Sequence, residues 1–341
     1  MSMRRPALIA AMLAALMILT GLAAPAAAAA EPDDEGGTAA FRDQLAAASR
    51  GYLDATAALE RSRKRQRELT FELTTIESDL VARTRVVGEI AAVAYRTGRV
   101  GTLAALIGAD SPETLLDRAL ALNSVAANEN AAVQQLTETR QRAERAKAAI
   151  DNEVRQQQQQ LAVMAQRKKD AEKVLADAVA DEARAQSNVV DPGIPTTGIR
   201  LAAAAPRNSD GSWPAQGCSL PDPTTSGCVS PRLLHAYTEA RRAGFQRYTS
   251  CFRNGSSGEH PKGKACDHAA QVNGFGGTAT GGDKTYGNNL AAFYIYNASR
   301  LGVLYVIWYR RIWLPSSGWK SYSGCCDPAS MHTNHVHLSV Y

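Results

Sequence analysis

The first 212 residues of this 341-residue chain contain no cysteine, no histidine and no tryptophan. All six cysteines, all six histidines and all four tryptophans come later in the sequence. A catalytic or metal site built from histidine or cysteine is therefore excluded from the first part of the chain. Any such chemistry must lie in the C-terminal region, which begins near Trp213.

The charged residues give no sign of a nucleic-acid-binding protein. The chain carries a formal net charge of +5, and from residue 191 onward there are 14 basic and 8 acidic residues. This excess is small and unclustered, so we expect no nucleic-acid partner. The glycine-rich stretch at 273–288 lacks the order of a phosphate-binding loop, so we expect a plain loop there and no nucleotide.

The N-terminus has the pattern of a secretory signal peptide. Arg4 and Arg5 precede an apolar run that ends in several alanines, and this order of charged, apolar and small residues is typical of such signals. We therefore predict a signal peptide at 1–30, cleaved near residue 30, and an acidic flexible segment at 31–40. The mature protein would be exported to the extracellular or cell-wall space; an uncleaved membrane anchor is the alternative.

Export would also explain the cysteines. Six cysteines in one domain outside the reducing cytosol predict disulfides. Six cysteines allow 15 pairings, and the sequence leaves the choice among them open.

Residues 41–186 predict a long helical hairpin that forms a coiled coil. Pro112 is the only proline in this segment, and apolar residues recur in alternating steps of three and four in both halves. The predicted seam positions are Leu69, Leu73, Ile76, Leu80, Val87, Ile90 and Ala94 in the first half, and Val133, Leu136, Ala143, Ile150, Val154, Leu161, Met164, Ala171, Leu175 and Ala178 in the second. Because polar residues interrupt both seams, we expect a marginal and flexible coiled coil.

The tip of this hairpin is predicted to be apolar. The stretch 96–112 should separate the two long helices, and a short helix beginning at Pro112 carries Leu115, Leu116 and Leu120. Exposed leucines on a polar rod predict a docking surface for a membrane protein or a hydrolase partner. Packing of these leucines against one another is the alternative.

The remainder predicts a linker at 187–217, rich in proline, glycine and alanine, and a small disulfide-containing α+β domain with an antiparallel sheet at 218–341. The expected helices of this domain are 231–244 and 289–301, and the expected strands are 303–309, 312–314 and 335–341.

Two motifs in this domain predict a metal site. Asp267 lies seven residues after His260, and His335-Val336-His337 lies near the end of the chain. Residues two apart on a strand point to the same face, so the two histidines of the second motif project together. Imidazoles and one carboxylate, three protein ligands with a fourth position for water, are what a catalytic zinc uses. Ordinary polar surface is the alternative.

The spacing His260-x-x-Gly263-x-Ala265-x-Asp267, followed far downstream by His-x-His, resembles the zinc peptidases of the lysostaphin, D-Ala-D-Ala carboxypeptidase and sonic-hedgehog fold. It is most similar to the D-Ala-D-Ala carboxypeptidase branch. The resemblance covers residues 229–341.

The resemblance implies a role for each matching residue. His260, Asp267 and His337 would bind Zn²⁺, which lowers the pKa of bound water and polarises a carbonyl. His335 would sit beside the metal-bound water, and Arg253 would hold a substrate carboxylate or carbonyl oxygen.

The chain departs from the family at one position. Carboxypeptidases of this branch often place a glutamate, as general base, three residues before the last zinc ligand, where this chain has Asn334. His335 can serve instead, because an imidazole accepts protons near neutral pH. The departure leaves the choice between carboxypeptidase and endopeptidase open. Among the other histidines, His332 is interpreted as a loop residue, with a hydrogen bond to a metal ligand as the alternative, and His268 as a structural one.

We therefore expect an exported zinc-dependent peptidoglycan peptidase that acts on stem peptides of the bacterial cell wall. The helical hairpin, which resembles those of division-associated regulators of wall hydrolases, would position it. The alternatives are a non-catalytic regulator that activates another wall hydrolase, and a wall-binding module.

The apolar tip yields a first prediction. Replacing Leu115 and Leu116 by serine should abolish capture of an envelope partner, because it removes the apolar contact surface. Helicity should stay intact, as measured by far-UV circular dichroism. Capture that survives in the double variant would contradict the docking role.

Overall fold

In the computed structural model of this chain, the described residues are 38–182, 193–322, 324 and 326–341. The predicted signal peptide at 1–30 lies outside them, as do residues 31–37 of the predicted acidic segment. Among the helices of the described segments, none combines the length and the apolar character needed to cross a bilayer.

The N-terminal part is helical and the C-terminal part is an α+β domain with an antiparallel sheet, as the sequence predicts. Two long helices come first, α1 (Ala39–Ile107) and α2 (Pro112–Glu182). The further elements are β1 (Leu220–Pro221), β2 (Cys228–Val229), α3 (Pro231–Arg242), β3 (Thr249–Ser250), β4 (Ala265–Ala269), α4 (Gly281–Tyr296), α5 (Ala298–Leu301), β5 (Val303–Trp308), β6 (Arg311–Leu314), β7 (Gly318–Ser321) and β8 (His335–Val340).

The long helices form an antiparallel hairpin whose break is shorter than predicted. α1 begins after Thr38, whose hydroxyl accepts a hydrogen bond from the Phe41 backbone N–H. It continues to Ile107 with a kink at Gly98 (φ 61°, ψ 177°). The predicted short helix after Pro112 is wrong, because α2 runs on without interruption. No glycine or proline follows Pro112 within α2, so nothing in its sequence ends the helix early.

The seam between the helices differs from the predicted one in α2. Three predicted seam residues of α2 are exposed, Val133 at 48%, Val154 at 36% and Leu161 at 49%. The buried positions include Thr139 and Glu153, and the Ser62 hydroxyl of α1 donates a 2.8 Å hydrogen bond to the Glu153 carboxylate. Apolar periodicity correctly marked Ala143, Ala171 and Leu175, which are buried. It missed the polar positions of the seam, whose groups satisfy one another.

The C-terminal sheet has six strands in the order β3-β4-β8-β5-β6-β7, and all neighbours are antiparallel. Its register places Asp267 of β4 and Ile307 of β5 on either side of His337 in β8. Ile307 in turn lies opposite Ile312 of β6. Residues directly opposite each other share a face of the sheet, so these four side chains lie on one face.

Both faces of the sheet are covered. Residues of α3 and α4 form a core on one face with β-strand residues that include Val306, Val336 and Leu338. The hairpin base covers the other face in a second apolar core. That second core comprises Phe41, Leu45, Ala46 and Ala48 of α1, Ala171 and Leu175 of α2, and Leu304, Tyr305, Ile307, Ile312, Leu314 and Tyr322 of the domain.

Two further segments, which their composition predicts to be a loop and a linker, contain a helix or buried residues. The predicted loop at 273–288 is wrong for its second half, since α4 begins at Gly281. Within the predicted linker at 187–217, the Ala202 N–H donates to the Asn297 side chain at 2.8 Å, and Ala202 and Ala205 are buried.

Between pairs of described residues, the structure places two disulfides in the domain. Cys218 pairs with Cys228, and Cys251 pairs with Cys266 to link the segment after β3 to β4. Disulfides of this kind are suggestive of an extracellular protein.

Two glycines of α4 allow a matched stability test. A methyl group on Gly287 would lie 2.3 Å from the Trp308 ring, whereas one on Gly282 would meet nothing within 4 Å. Gly287→Ala should therefore lower the free energy of unfolding by about 1–3 kcal/mol through overpacking. Gly282→Ala should leave it unchanged or raise it by up to about 1 kcal/mol. Urea unfolding followed by circular dichroism measures both, and equal stabilities would contradict this packing.

Candidate metal centre

The sheet register brings two of the predicted ligands together. Asp267 and His337 are directly opposite each other on β4 and β8. His260 reaches them from the loop before β4, which turns at Gly263 in a left-handed conformation (φ 64°). A side chain at Gly263 would collide with Cys218 and with the backbone at Cys228, so only glycine fits this turn.

The three predicted ligands form one compact cluster. Their donor atoms all lie within 4.8 Å of one another. His337 Nδ1 is 2.8 Å from Asp267 Oδ1, and His260 Nε2 is 3.1 Å from Asp267 Oδ2. The two histidines approach each other through His260 Nε2 and His337 Nδ1, at 3.3 Å.

This donor set fits a zinc ion. Ligands that bind zinc tetrahedrally at about 2.0–2.1 Å have donor atoms about 3.3 Å apart. The separation of the two nitrogens, 3.3 Å, is close to that value, and each nitrogen contacts one oxygen of the Asp267 carboxylate. Two imidazole nitrogens and one carboxylate are also the donor types of three-ligand zinc sites that keep a position open.

The ring nitrogens that face away from the cluster are also bound. His260 Nδ1 is hydrogen-bonded to the Cys251 carbonyl oxygen, and His337 Nε2 lies 2.8 Å from the Ser339 hydroxyl. Such outer hydrogen bonds fix the tautomer and orientation of a metal-binding histidine. Each histidine thus presents a defined nitrogen to the cluster.

Asp267 is a fully buried carboxylate surrounded by one guanidinium and several imidazoles. Burial opposes its ionisation, but His260, Arg253 and His335 outweigh burial and hold the pKa of Asp267 well below its usual range. The Arg253 guanidinium donates to Asp267 Oδ2 at 2.6 Å. Arg253, expected to contact substrate, therefore contacts a ligand of the cluster.

His335 lies at the edge of the same cluster. Its Nε2 is 3.5 Å from Asp267 Oδ1, and its Nδ1 is 2.7 Å from the Asn334 side-chain oxygen. An Nδ1–H donated to Asn334 makes Nε2 the basic nitrogen. Asn334 also donates to the Gly276 carbonyl at 2.9 Å, which ties the glycine-rich loop to the site.

The imidazole of His335 is neutral at pH 7. Burial lowers the pKa of His335 to about 4, with the charges of His337 and Arg253 adding to this effect and Asp267 opposing it. The neutral imidazole is the form that can accept a proton, but a pKa this low also makes it a weak base, because general-base catalysis is most efficient with a pKa near the working pH.

His332 is a further site residue that the sequence interpretation missed. It lies in a turn, as expected, but it is fully buried, with its ring centroid 4.7 Å from that of His335 and 5.7 Å from that of His337. Its backbone has a φ of 51°, which is unfavourable for a residue with a side chain. The one signal in the sequence was the position of His332 three residues before His335. In a loop, such a spacing does not indicate where a side chain points.

The other histidine next to the cluster is structural. His268 points to the opposite face of the sheet, where it bonds the Thr249 hydroxyl at 3.1 Å and the Tyr294 hydroxyl at 2.8 Å. Burial lowers the pKa of His268 to about 3, so it is neutral in the fold.

Comparison with known proteins reaches only the C-terminal domain. Residues 225–336 match the family model described as VldE, C-terminal domain. This span holds His260 and Asp267 and ends one residue before His337. No curated protein and no solved structure matches the chain.

The hydrogen bond between Ser339 and His337 yields a prediction. Ser339→Ala should weaken zinc binding about 10–100-fold, because His337 loses the partner that orients it. Ser316→Ala is the matched control, since the Ser316 hydroxyl contacts only its neighbour Ser317 in a distant turn. Competition titration with a zinc-binding dye measures both variants. Equal zinc affinity in both would contradict the proposed ligand role of His337.

Proposed function

We propose that this protein is an exported zinc-dependent hydrolase that cleaves the peptide part of the bacterial cell wall. The observation that carries the proposal is the convergence of His260, Asp267 and His337 beside His335. Three ligands with a neighbouring neutral imidazole provide the two components that hydrolysis of a peptide bond requires, an electrophilic centre and a base.

His260, Asp267 and His337 would hold the zinc ion. When bound, zinc supplies a Lewis acid for the scissile carbonyl and lowers the pKa of a coordinated water. The ionised state of Asp267 suits it to bind a cation.

The residues around the ligands would handle the proton and the substrate. His335 Nε2 would take a proton from the attacking water and return it to the leaving amine, with its ring held by Asn334. Asn334 occupies the position of the glutamate that carboxypeptidases often have, so in this scheme it orients the base instead of being the base. Arg253 would keep Asp267 in place through its hydrogen bond to Oδ2, and the resemblance to the peptidases gives it a substrate oxygen to contact as well.

The substrate assignment rests on features outside the cluster. Disulfides suit a protein of an oxidising compartment. The ligand spacing resembles that of wall peptidases, and the long hairpin resembles those of wall-hydrolase regulators. Cell-wall stem peptides are the peptide substrates that join these features.

A second candidate is a non-catalytic regulator of another wall hydrolase. The specific observation in its favour is the exposure of the hairpin tip, where Leu115, Leu116 and Leu120 are 45%, 61% and 59% exposed. In this case the metal centre would stabilise the domain, and the tip would bind the partner.

Removal of single ligands tests the proposal. His260→Ala and Asp267→Ala should each lose bound zinc and lower the release of stem peptides from purified peptidoglycan about a thousandfold. His235→Ala is the control, because His235 lies on α3, outside the cluster, and bonds the Ala203 carbonyl oxygen. Zinc content by mass spectrometry and peptide release by liquid chromatography give the two readouts. Full peptide release by a zinc-free His260→Ala protein would refute the mechanism.

A further inference from the structure

The metal centre lies on the face of the sheet that the helical hairpin covers. Asp267, His337 and Ile307 share that face through the strand register. Ile307 belongs to the apolar core that Phe41 and Leu45 of α1 complete. The hairpin base and the metal centre are therefore neighbours on one surface.

Aromatic contacts connect the first turn of α1 to the centre. Phe41 packs on Tyr322 with ring centroids 6.0 Å apart, and Tyr322 packs on His332 at 5.6 Å. His332 in turn contacts the rings of both His335 and His337. The apolar cover thus extends without interruption to the proposed base.

Polar contacts hold the same end of α1 on the loop that carries His260. Arg50 forms an ion pair with Glu259, whose side chain is 1% exposed, and Asp43 lies 3.4 Å from the Lys262 amine. Arg42 donates to the Ser257 hydroxyl at 2.6 Å.

With the hairpin seated, the centre is closed to large molecules. His260, Asp267 and His337 are each 0% exposed, and His335 is 1% exposed. A stem peptide that is part of a wall polymer cannot reach side chains at this depth.

We propose that the base of the hairpin is an autoinhibitory cover that must leave the sheet before substrate can bind. This inference rests on the proposed function for the nature of the substrate. The cover itself is defined by contacts between α1, α2 and the sheet. The seated form is latent, and displacement of the hairpin base opens the centre.

The experiment measures access to the centre separately from catalysis. Full-length protein is treated with diethyl pyrocarbonate, and labelling of individual histidines is followed by peptide mass spectrometry. His335 reports on the centre, His235 on α3 reports on reagent activity, and His268 on the opposite face reports on the integrity of the domain.

The variant that should release the cover is Arg50→Glu, which places a carboxylate beside buried Glu259. We expect it to raise the labelling rate of His335 about tenfold, because the pair that holds α1 on the loop becomes repulsive. Arg85→Glu makes the same charge change farther along α1, where Arg85 lies 4.0 Å from Glu89 of its own helix. It should leave His335 protected.

A second variant guards against misfolding of the first. Leu45→Ser removes a buried contact from the centre of the cover, and it should expose His335 while His268 stays protected. Hydrogen exchange shows whether the hairpin has left the sheet in each variant. If it has left and His335 still remains protected in both variants, the hairpin is not what closes the centre, and the inference is overturned.

Peptide release from purified peptidoglycan separates this inference from the proposed function. Release that rises about tenfold with His335 labelling supports both. If the wild type releases as much peptide as Arg50→Glu while its His335 is protected, the inference that the hairpin base is an autoinhibitory cover is overturned. If His335 opens as expected and no variant releases peptide, the cover stands and the proposed peptidase function fails.

Discussion

The buried carboxylate of Asp267 is the interaction on which the rest of the site depends. Removing a carboxylate from water costs several kcal/mol, which only close and well-aligned partners can offset. The partners here are the Arg253 guanidinium at 2.6 Å and the rings of His260 and His337 at 3.1 and 2.8 Å. These contacts need β4 and β8 to pair in one register, since a shift by one residue would turn Asp267 to the opposite face.

The same strand register explains why the sequence predicted the residues of the cluster. The i, i+2 spacing of His335 and His337 and the fixed spacing from His260 to Asp267 are local features, and they identified the residues that the fold brings together. His332 was missed because its burial comes from Tyr322 and the other two histidines, contacts that local sequence does not encode.

The sequence also predicted part of the fold, namely the elements that have a clear local pattern. Strand β8 and helix α3 have clear patterns and were placed within a few residues of their observed limits. The start of α4 was missed because its glycines read as a loop, whereas Gly287 serves the close approach of Trp308. The polar positions of the α2 seam were missed because a heptad pattern is recognised by its apolar residues, whereas Glu153 is buried through its contacts with Ser62 and Arg65.

That polar seam also bears on the seating of the hairpin. Among the described residues beyond its base, the hairpin has a small apolar core around Ile76, Ala143 and Ala146. A larger apolar surface lies at the base, where Phe41, Leu45 and Leu175 face the sheet. Because burial of apolar surface is the main favourable term in packing, the hairpin gains more from docking on the domain than from much of its own seam. Docking of the hairpin base and burial of the neighbouring His/Asp cluster therefore involve the same face of the sheet.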